Sequence, residues 1–317
     1  MLWFMGAVAL IFLVLGGALQ FAIWRNGPAV LSAVDRIAGG DRGAQLKVSA
    51  ATGDHPSQKV VVWGPEDSSS NDPRPVLLFV HGGSWRSGDP DDYGFVARAF
   101  VPEGFVVVLA GYRLHPDAVY PAMLEDTAAA VRWTREEIAA HGGDPEQIVL
   151  AGHSAGAYNV VMASLEERWL GAHAIETSEI SAVIGLAGPY DFVPFDSEST
   201  IASFGHVADP HTTQPLTHIE GEAPPMLLIH GEKDSLVRIR NSRILAEELG
   251  KFDGQAETLF YPEMEHNDPL ISLAAPWRSR RDLVAEIAAF ARDASERASG
   301  NPDEALQTSV PVQDDMR

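Results

Sequence analysis

Gln147-Ile-Val-Leu-Ala-Gly-His-Ser-Ala-Gly156 is a short apolar run that ends in the pattern Gly-x-Ser-x-Gly, and a segment of helical character, residues 157–169, follows it. A strand, a tight turn and a helix in this order form a nucleophile elbow, which exposes a serine at the end of the strand. The small residues Gly152 and Gly156 let the strand and the helix approach each other closely. The start of the helix also directs free N–H groups toward the serine. The stretch therefore predicts that Ser154 is a nucleophile.

The composition limits the classes of partner and cofactor. The chain has 317 residues, enough for one large α/β domain. Its net charge is −21, which disfavours a nucleic-acid partner. It has no cysteine, so disulfides, a thiol nucleophile and thiolate metal sites are excluded. His206, Asp209 and His211 lie close in sequence but match no metal-ligand pattern, and no glycine-rich phosphate loop opens a βαβ unit. We therefore expect neither a metal nor a cofactor.

The amino terminus predicts a membrane segment. Residues 1–24 contain no charged side chain. At about 1.5 Å per residue a helix of this length crosses the ~30 Å hydrocarbon core of a bilayer. Trp24 and Arg25 would then lie at the interface. The alternative is a cleaved signal peptide with a small-residue site at 16–18, although the usual basic stretch is missing. We expect a membrane-anchored protein, or a secreted or periplasmic one if the segment is cleaved, with the side of the membrane left open.

The rest of the chain predicts one α/β domain. Residues 25–56 have few periodic signals and are interpreted as a connector, residues 57–298 as the domain, and residues 299–317 as a disordered acidic tail. Short apolar runs alternate with helical patterns, which indicates a mostly parallel sheet with helices on both faces. The predicted strands are 59–63, 76–80, 105–110, 148–151, 182–187, 226–229 and 257–261, and the predicted helices are 92–101, 123–140, 157–169, 239–249 and 281–291.

A glycine-rich loop offers an oxyanion hole. Val80-His81-Gly82-Gly83-Ser84-Trp85 follows a predicted buried strand. Glycines let the backbone come within hydrogen-bonding distance of a developing alkoxide. We expect one N–H donor from Gly83, with Gly82 or Ser84 as a further candidate, and one from Ala155, the residue after the nucleophile.

The acid candidate is Asp234. A serine nucleophile needs a base and a group that orients the base, and chains with this elbow carry them in the order serine, acid, histidine. Asp234 follows the strand 226–229, at the edge of the sheet where open α/β proteins build their sites. It could also be a turn or helix-capping residue, and the rivals for the acid are Asp191, Asp196 and Glu232.

The base candidate is His266, which follows the strand 257–261 and precedes the final helix. His230 is the alternative, although a histidine that ends a strand before a glycine is more often structural. His206, His211 and His218 are interpreted as surface or pocket-lining groups of an irregular insert.

With these parts in place, residues 59–292 resemble the α/β-hydrolase superfamily, in its esterase/lipase-like branch. The motifs that carry the resemblance are His81-Gly82-Gly83-x-Trp85, Tyr112-Arg113-Leu114 with Pro116, Gly143-Asp144-Pro145, and Gly152-His153-Ser154-Ala155-Gly156-Ala157. They look most like the carboxylesterases and the kynurenine-formamidase-like members, since hormone-sensitive-lipase-like enzymes usually have Asp where this chain has His153. The resemblance implies an α/β-hydrolase fold and hydrolysis of an ester or a similar acyl bond.

The function that follows is hydrolysis of a small carboxylic ester through an acyl-enzyme on Ser154. The alternatives are an amidase or formamidase acting on an N-formyl aromatic amine such as N-formylkynurenine, and a catalytically silent binding module. The insert 188–225 and its aromatic residues predict the substrate pocket, with Trp85, Tyr190 and Phe192 as candidate binding residues, although these rings could equally hold the insert down. Acyl chain length, physiological substrate and oligomeric state stay open.

Overall fold

A computed structural model describes residues 2–40, 43–67, 73–221, 223–252, 254–298 and 300, with the backbone alone for residues 2–15, 18, 19 and 24. The predicted acidic tail lies outside the described residues, except for Gly300. The strands are β1 (Ala44–Ala51), β2 (Lys59–Pro65), β3 (Arg74–Val80), β4 (Val106–Ala110), β5 (Gly143–His153), β6 (Ile180–Leu186), β7 (Met226–Gly231) and β8 (Ala256–Tyr261). The helices are α1 (Leu2–Ile37), α2 (Gly94–Phe100), α3 (Ala122–Glu137), α4 (Ala155–Leu165), α5 (Arg168–Gly171), α6 (Glu198–Phe204), α7 (Arg240–Lys251), α8 (Asp268–Ile271) and α9 (Leu283–Ala298).

The strands form one sheet in the order β1-β2-β4-β3-β5-β6-β7-β8. β1 and β2 are antiparallel to their neighbours, and every pairing from β4 to β8 is parallel. β4 and β6 are buried at every position, as parallel strands covered on both faces must be. The predicted α/β-hydrolase sheet is thus confirmed.

Two apolar layers cover the two faces of the sheet. Alternate residues of β3 show the division, because Leu78 packs into the layer under α3 and α4, while Leu77 and Phe79 pack into the layer under α2 and α9. Successive side chains of a strand point to opposite faces, so an uninterrupted apolar run supplies both layers. The carboxyl ends of the parallel strands are left together at one edge of the sheet.

The second part of α1 packs against the domain. Asn26 leaves the helical conformation, with φ −157° and ψ 80°, and its side-chain Oδ1 accepts a hydrogen bond from Ala29 N at 3.1 Å. Asn26 is therefore the N-cap of a new helical segment that ends at Ile37. Leu31 of this segment packs against the apolar layer that includes α2 and α9. This segment and β1 occupy much of the range that the sequence indicates as a connector.

The predicted transmembrane helix is wrong. In the described part of the chain, no helix is both long enough and apolar enough to cross a membrane. The helix that contains the apolar stretch loses its helical geometry at Asn26 and continues into the segment that packs on the domain. Membrane association through residues 1–24 is not shown, and the localisation stays a prediction.

Candidate active site

The turn at Ser154 brings β5 and α4 into close contact. Ser154 has φ 53° and ψ −119°, a conformation that costs energy for a residue with a side chain. Its N–H donates to the carbonyl of Leu186 at 2.8 Å, which ties the turn to β6. A Cβ on Gly152 would overlap the backbone of Gly156, and a Cβ on Gly156 would overlap the carbonyl of Val80. The two glycines are thus required by the approach of strand and helix that holds the serine in place.

The three predicted catalytic side chains meet at the carboxyl edge of the sheet. Asp234 follows β7, and His266 follows β8. The Nε2 atom of His266 lies 2.9 Å from Ser154 Oγ, and its Nδ1 lies 2.7 Å from Asp234 Oδ2. Since an ionised carboxylate can only accept, Nδ1–H donates to Asp234 and Nε2 is left to accept the serine proton. The arrangement matches that of a serine nucleophile with its base and orienting acid.

The surroundings of Asp234 favour its charged form. Burial opposes ionisation, but hydrogen bonds from His230 and His266 outweigh it and hold the pKa of Asp234 well below its ordinary value. Oδ1 also accepts from the backbone N–H of Leu236 at 2.9 Å and of Val237 at 2.8 Å. The carboxylate is therefore ready to stabilise an imidazolium at His266.

The alternative site residues have other contacts. His230 lies behind the acid, with Nε2 3.2 Å from Asp234 Oδ2 and 2.7 Å from the carbonyl of Val237, while its Nδ1 lies 2.8 Å from Ser242 Oγ. Among the rival acids, Asp191 pairs with Arg240, Glu232 pairs with Arg243, and Asp196 is exposed. The geometry therefore favours Asp234 and His266 over these candidates.

The glycine loop lies directly against the nucleophile. Gly82 packs so closely that a Cβ there would lie 2.9 Å from the carbonyl oxygen of His153 and 3.3 Å from Ser154 Cβ. Gly83 has φ 119° and Ser84 has φ 55°, so the chain turns sharply away from β3. Gly82, Gly83 and Ser84 line the same cavity as Ser154. This placement suits backbone N–H donation to an oxyanion, and the choice of Gly83 and Ala155 as donors stays a prediction.

His81 holds the loop in position. Its ring stacks between Tyr93 and Tyr112, at centroid distances of 5.6 and 4.6 Å. Its Nδ1 lies 2.8 Å from the carbonyl of Gly82, and the hydroxyl of Tyr112 donates to the carbonyl of His81 at 3.1 Å. Complete burial lowers the pKa of His81 to about 4. A neutral imidazole therefore fixes the start of the loop.

His153 is a site residue that sequence reasoning missed. Its Nε2 lies 3.0 Å from the carbonyl of His266, and the centroids of the two rings are 5.1 Å apart. Burial, together with the nearby His266, lowers the pKa of His153 to about 3, so its neutral ring donates Nε2–H to that carbonyl. His153 is part of the elbow motif, but its contact with the loop of His266 is visible only in the folded chain.

The cavity beside Ser154 includes the predicted glycine loop in its described lining but not the predicted aromatic residues. It measures about 750 Å³, and its described lining includes parts of α1, of α8 and of the glycine loop. Trp85, Tyr190 and Phe192 are not among the described lining residues. Trp85 and Tyr190 are buried, Trp85 Nε1 donates to Asn159 Oδ1 at 3.1 Å, and Phe192 stacks on Trp85. These contacts hold the insert on the domain, and a role of the three residues in substrate binding stays a prediction.

We expect His153 to make the stability of the protein depend on pH. Between about pH 6.5 and about pH 3 the unfolded chain protonates His153 and the folded chain does not, so this residue lowers the free energy of unfolding as the pH falls. In His153→Gln, urea unfolding should depend less steeply on pH, by about 1.4 kcal/mol per pH unit between about pH 6 and about pH 4. If the free energy of unfolding changes with pH to the same extent in both proteins, the buried, neutral state of this ring would be contradicted.

Comparison with known proteins gives the family. The sequence model of the BD-FAE family matches residues 64–249, a range that includes Ser154 and Asp234 but not His266. The chain is 31% identical over 243 residues to esterase LipQ of Mycobacterium tuberculosis, which covers 71% of this chain and 56% of the relative. It is 44% identical over 107 residues to carboxylesterase NlhH of M. tuberculosis, covering 33% of each. The chain spans about half the length of the curated relatives that it matches.

Solved structures share the fold. Esterase B from Lactobacillus rhamnosis superposes with a TM-score of 0.70 at 19% identity, covering 92% of this chain and 98% of that one. A truncated carbohydrate esterase from gut microbiota superposes with a TM-score of 0.68 at 18% identity, covering 80% of this chain and 96% of that one. The chain therefore belongs to the BD-FAE family, within the esterase/lipase-like α/β-hydrolases.

Proposed function

We propose that this protein hydrolyses carboxylic esters by transferring the acyl group to Ser154. The observation that carries the proposal is the continuous hydrogen-bonded line Asp234–His266–Ser154, which ends at the cavity beside the glycine loop. The names of relatives, an esterase and a carboxylesterase of M. tuberculosis, support the same class of reaction. A binding module would not need this alignment of acid, base and nucleophile.

Acylation begins with attack of Ser154 Oγ on the ester carbonyl carbon. His266 Nε2 takes the serine proton as the C–O bond forms, and the carbonyl oxygen becomes an alkoxide that faces the loop of Gly82 and Gly83. When this tetrahedral intermediate collapses, the bond to the alcohol oxygen breaks. His266 gives its proton to that oxygen, and the alcohol leaves.

Deacylation repeats these steps with water. His266 Nε2 takes a proton from water as the water oxygen attacks the acyl carbon, and the same loop faces the second alkoxide. Collapse breaks the bond to Ser154 Oγ, which recovers its proton from His266. The carboxylic acid is released, and Asp234 stays ionised throughout.

Removal of the nucleophile should abolish turnover. Ser154→Ala leaves no oxygen to form the acyl-enzyme, so kcat for p-nitrophenyl butyrate should fall by at least about 10⁴-fold. The matched control is Ser178→Ala, which changes an exposed serine outside the proposed site. Comparable turnover by Ser154→Ala would refute the proposed nucleophile.

The same assays distinguish the ester from the amide reaction. Wild-type protein is tested in parallel on p-nitrophenyl butyrate and on N-formylkynurenine, and Ser154 is labelled with an alkyl phosphonate. Turnover of the formamide alone would replace the proposed activity with amide hydrolysis. If Ser154 is not labelled and neither substrate is turned over, the remaining interpretation is a binding module.

Replacement of the acid tests which carboxylate orients His266. Asp234→Asn keeps the shape but offers an amide that can stabilise the wrong tautomer, so kcat should fall by about 10⁴-fold. Asp191→Asn, at the rival acid that pairs with Arg240, is the matched control and should change kcat by no more than a few-fold. A larger loss in Asp191→Asn than in Asp234→Asn would reverse the assignment.

A further inference from the structure

We propose that the second part of α1, residues 27–37, is a substrate-binding wall. In this proposal Leu31 and Val34 contact the apolar chain of the ester and set the chain length that the site accepts, and Asp35 holds them in position. The inference rests on the ester hydrolysis proposed above and adds the substrate class to it.

The wall belongs to the same cavity as the reacting atoms. That cavity contains Ser154 and His266, and its lining also includes Gly27, Leu31 and Val34. Residues 27, 31 and 34 are spaced by four and three, so they lie on one face of the helical segment. Leu31 and Val34 are half-buried, which is the exposure expected of side chains that line a cavity. The segment therefore presents an apolar face to the space in which the ester must lie.

The chemistry of the lining favours an apolar group. Leu270, Ile271 and Trp277 lie on the same cavity and add apolar surface to that of α1. A cavity of about 750 Å³ is large enough for a ligand of drug size, well beyond the needs of an acetyl ester. The charged groups on the described lining include Arg25, Asp89 and Asp92, of which Asp89 pairs with Lys59 and Asp92 accepts from Asn26, so most of the surface left for a ligand is apolar. The group that fits is therefore an uncharged alkyl or aromatic chain.

Asp35, one helical turn after Leu31, anchors this wall to the domain. Its carboxylate is completely buried. Oδ2 accepts from Arg98 Nε at 2.6 Å, and Oδ1 accepts from Ala275 N at 2.7 Å and from Arg278 Nη2 at 3.0 Å. One carboxylate thus joins α1 to α2 and to the segment that carries Trp277. Because a buried ion pair is a weak source of stability compared with apolar packing, we attribute a positioning role to it.

The beginning of the segment is fixed as well. Asn26 Nδ2 donates to Asp92 Oδ2 at 2.6 Å, while Asn26 Oδ1 caps the segment through Ala29 N. Leu31 and Val34 lie between the two attachments. The segment also lies outside residues 64–249, the range that matches the family. The proposed nucleophile, the acid and the glycine loop lie within that range, whereas the wall that faces them is formed by α1, outside it.

The test uses one variant that fills the cavity at the wall and one that enlarges it. Val34→Trp fills the cavity, Leu31→Ala enlarges it, and Ala33→Trp places the same bulk at an exposed position of the same helix. The value of kcat/KM is measured for p-nitrophenyl esters from acetate to decanoate, which varies the acyl side, and for alkyl acetates from methyl to decyl, which varies the alcohol side. The two series show which side of the ester lies on the wall.

In one of the two series Val34→Trp should lower kcat/KM for the longest chain at least about tenfold more than for the shortest. Leu31→Ala should move the preferred length toward longer chains, and Ala33→Trp should keep the wild-type profile. Profiles parallel to wild type for both wall variants, in both series, would overturn the proposal. If Val34→Trp does not fold, Val34→Phe and Leu31→Ala decide in its place.

The anchor is tested by Asp35→Asn, which keeps the shape and removes the charge. KM for the longest chain should rise several-fold more than KM for the shortest, because the wall loses its fixed position. Ser32→Ala removes one hydrogen bond to Arg98 and serves as the milder variant if Asp35→Asn does not fold. An unchanged ratio of the two KM values would overturn the positioning role of Asp35. An inert wild-type protein would instead overturn the proposed ester hydrolysis, and this inference with it.

Discussion

The close approach of β5 and α4 at Ser154 is the constraint on which the rest of the site depends. The serine adopts an unfavourable backbone conformation, and the contacts around it leave no room for side chains at Gly152 or Gly156. The parallel pairing of β5 with β3 and β6 fixes the strand from both sides. A hydrogen bond from Ser154 N to Leu186 adds a tie at the turn itself. The sheet thus supplies the rigidity that a strained turn needs.

The surroundings of each titratable residue in the site decide whether it is charged or neutral. His81 and His153 are completely buried, and burial lowers the pKa of each, so both are neutral structural donors or acceptors. Asp234 is buried too, yet its hydrogen bonds outweigh the cost of burial and keep it ionised. The carboxylate of Asp234 therefore faces His266, and the neutral imidazoles fix the two loops around it. Burial leaves the two histidines neutral, whereas the hydrogen bonds to Asp234 keep that residue charged.

The proposed nucleophile and acid come from a different part of the chain than the proposed specificity wall. Ser154, Asp234 and the glycine loop lie in the range that matches the family, whereas α1, His266 and the segment around Trp277 lie outside it. The buried carboxylate of Asp35 joins these two outer segments to each other through Ala275 and Arg278.

Apolar runs in the sequence predict the central sheet, because strands that are buried on both faces are continuous apolar runs. The edge strand β1 was not predicted, since Ala44–Ala51 is partly exposed and contains polar residues that give no clear run. Motif spacing and strand order also led to Ser154, Asp234 and His266, which the folded chain brings within hydrogen-bonding distance.

The surroundings of these residues depend on tertiary packing. The apolar amino-terminal stretch predicts a membrane helix, but no local pattern shows that residues 27–37 lie beside Ser154. The aromatic residues of the insert predict a pocket, yet Phe192 and Phe204 pack on Trp85. Contacts between residues far apart in the chain, such as Asp35 with Ala275 and His153 with His266, depend on how the elements pack. Sequence patterns report local periodicity and spacing, whereas a cavity is formed by side chains that meet only after folding.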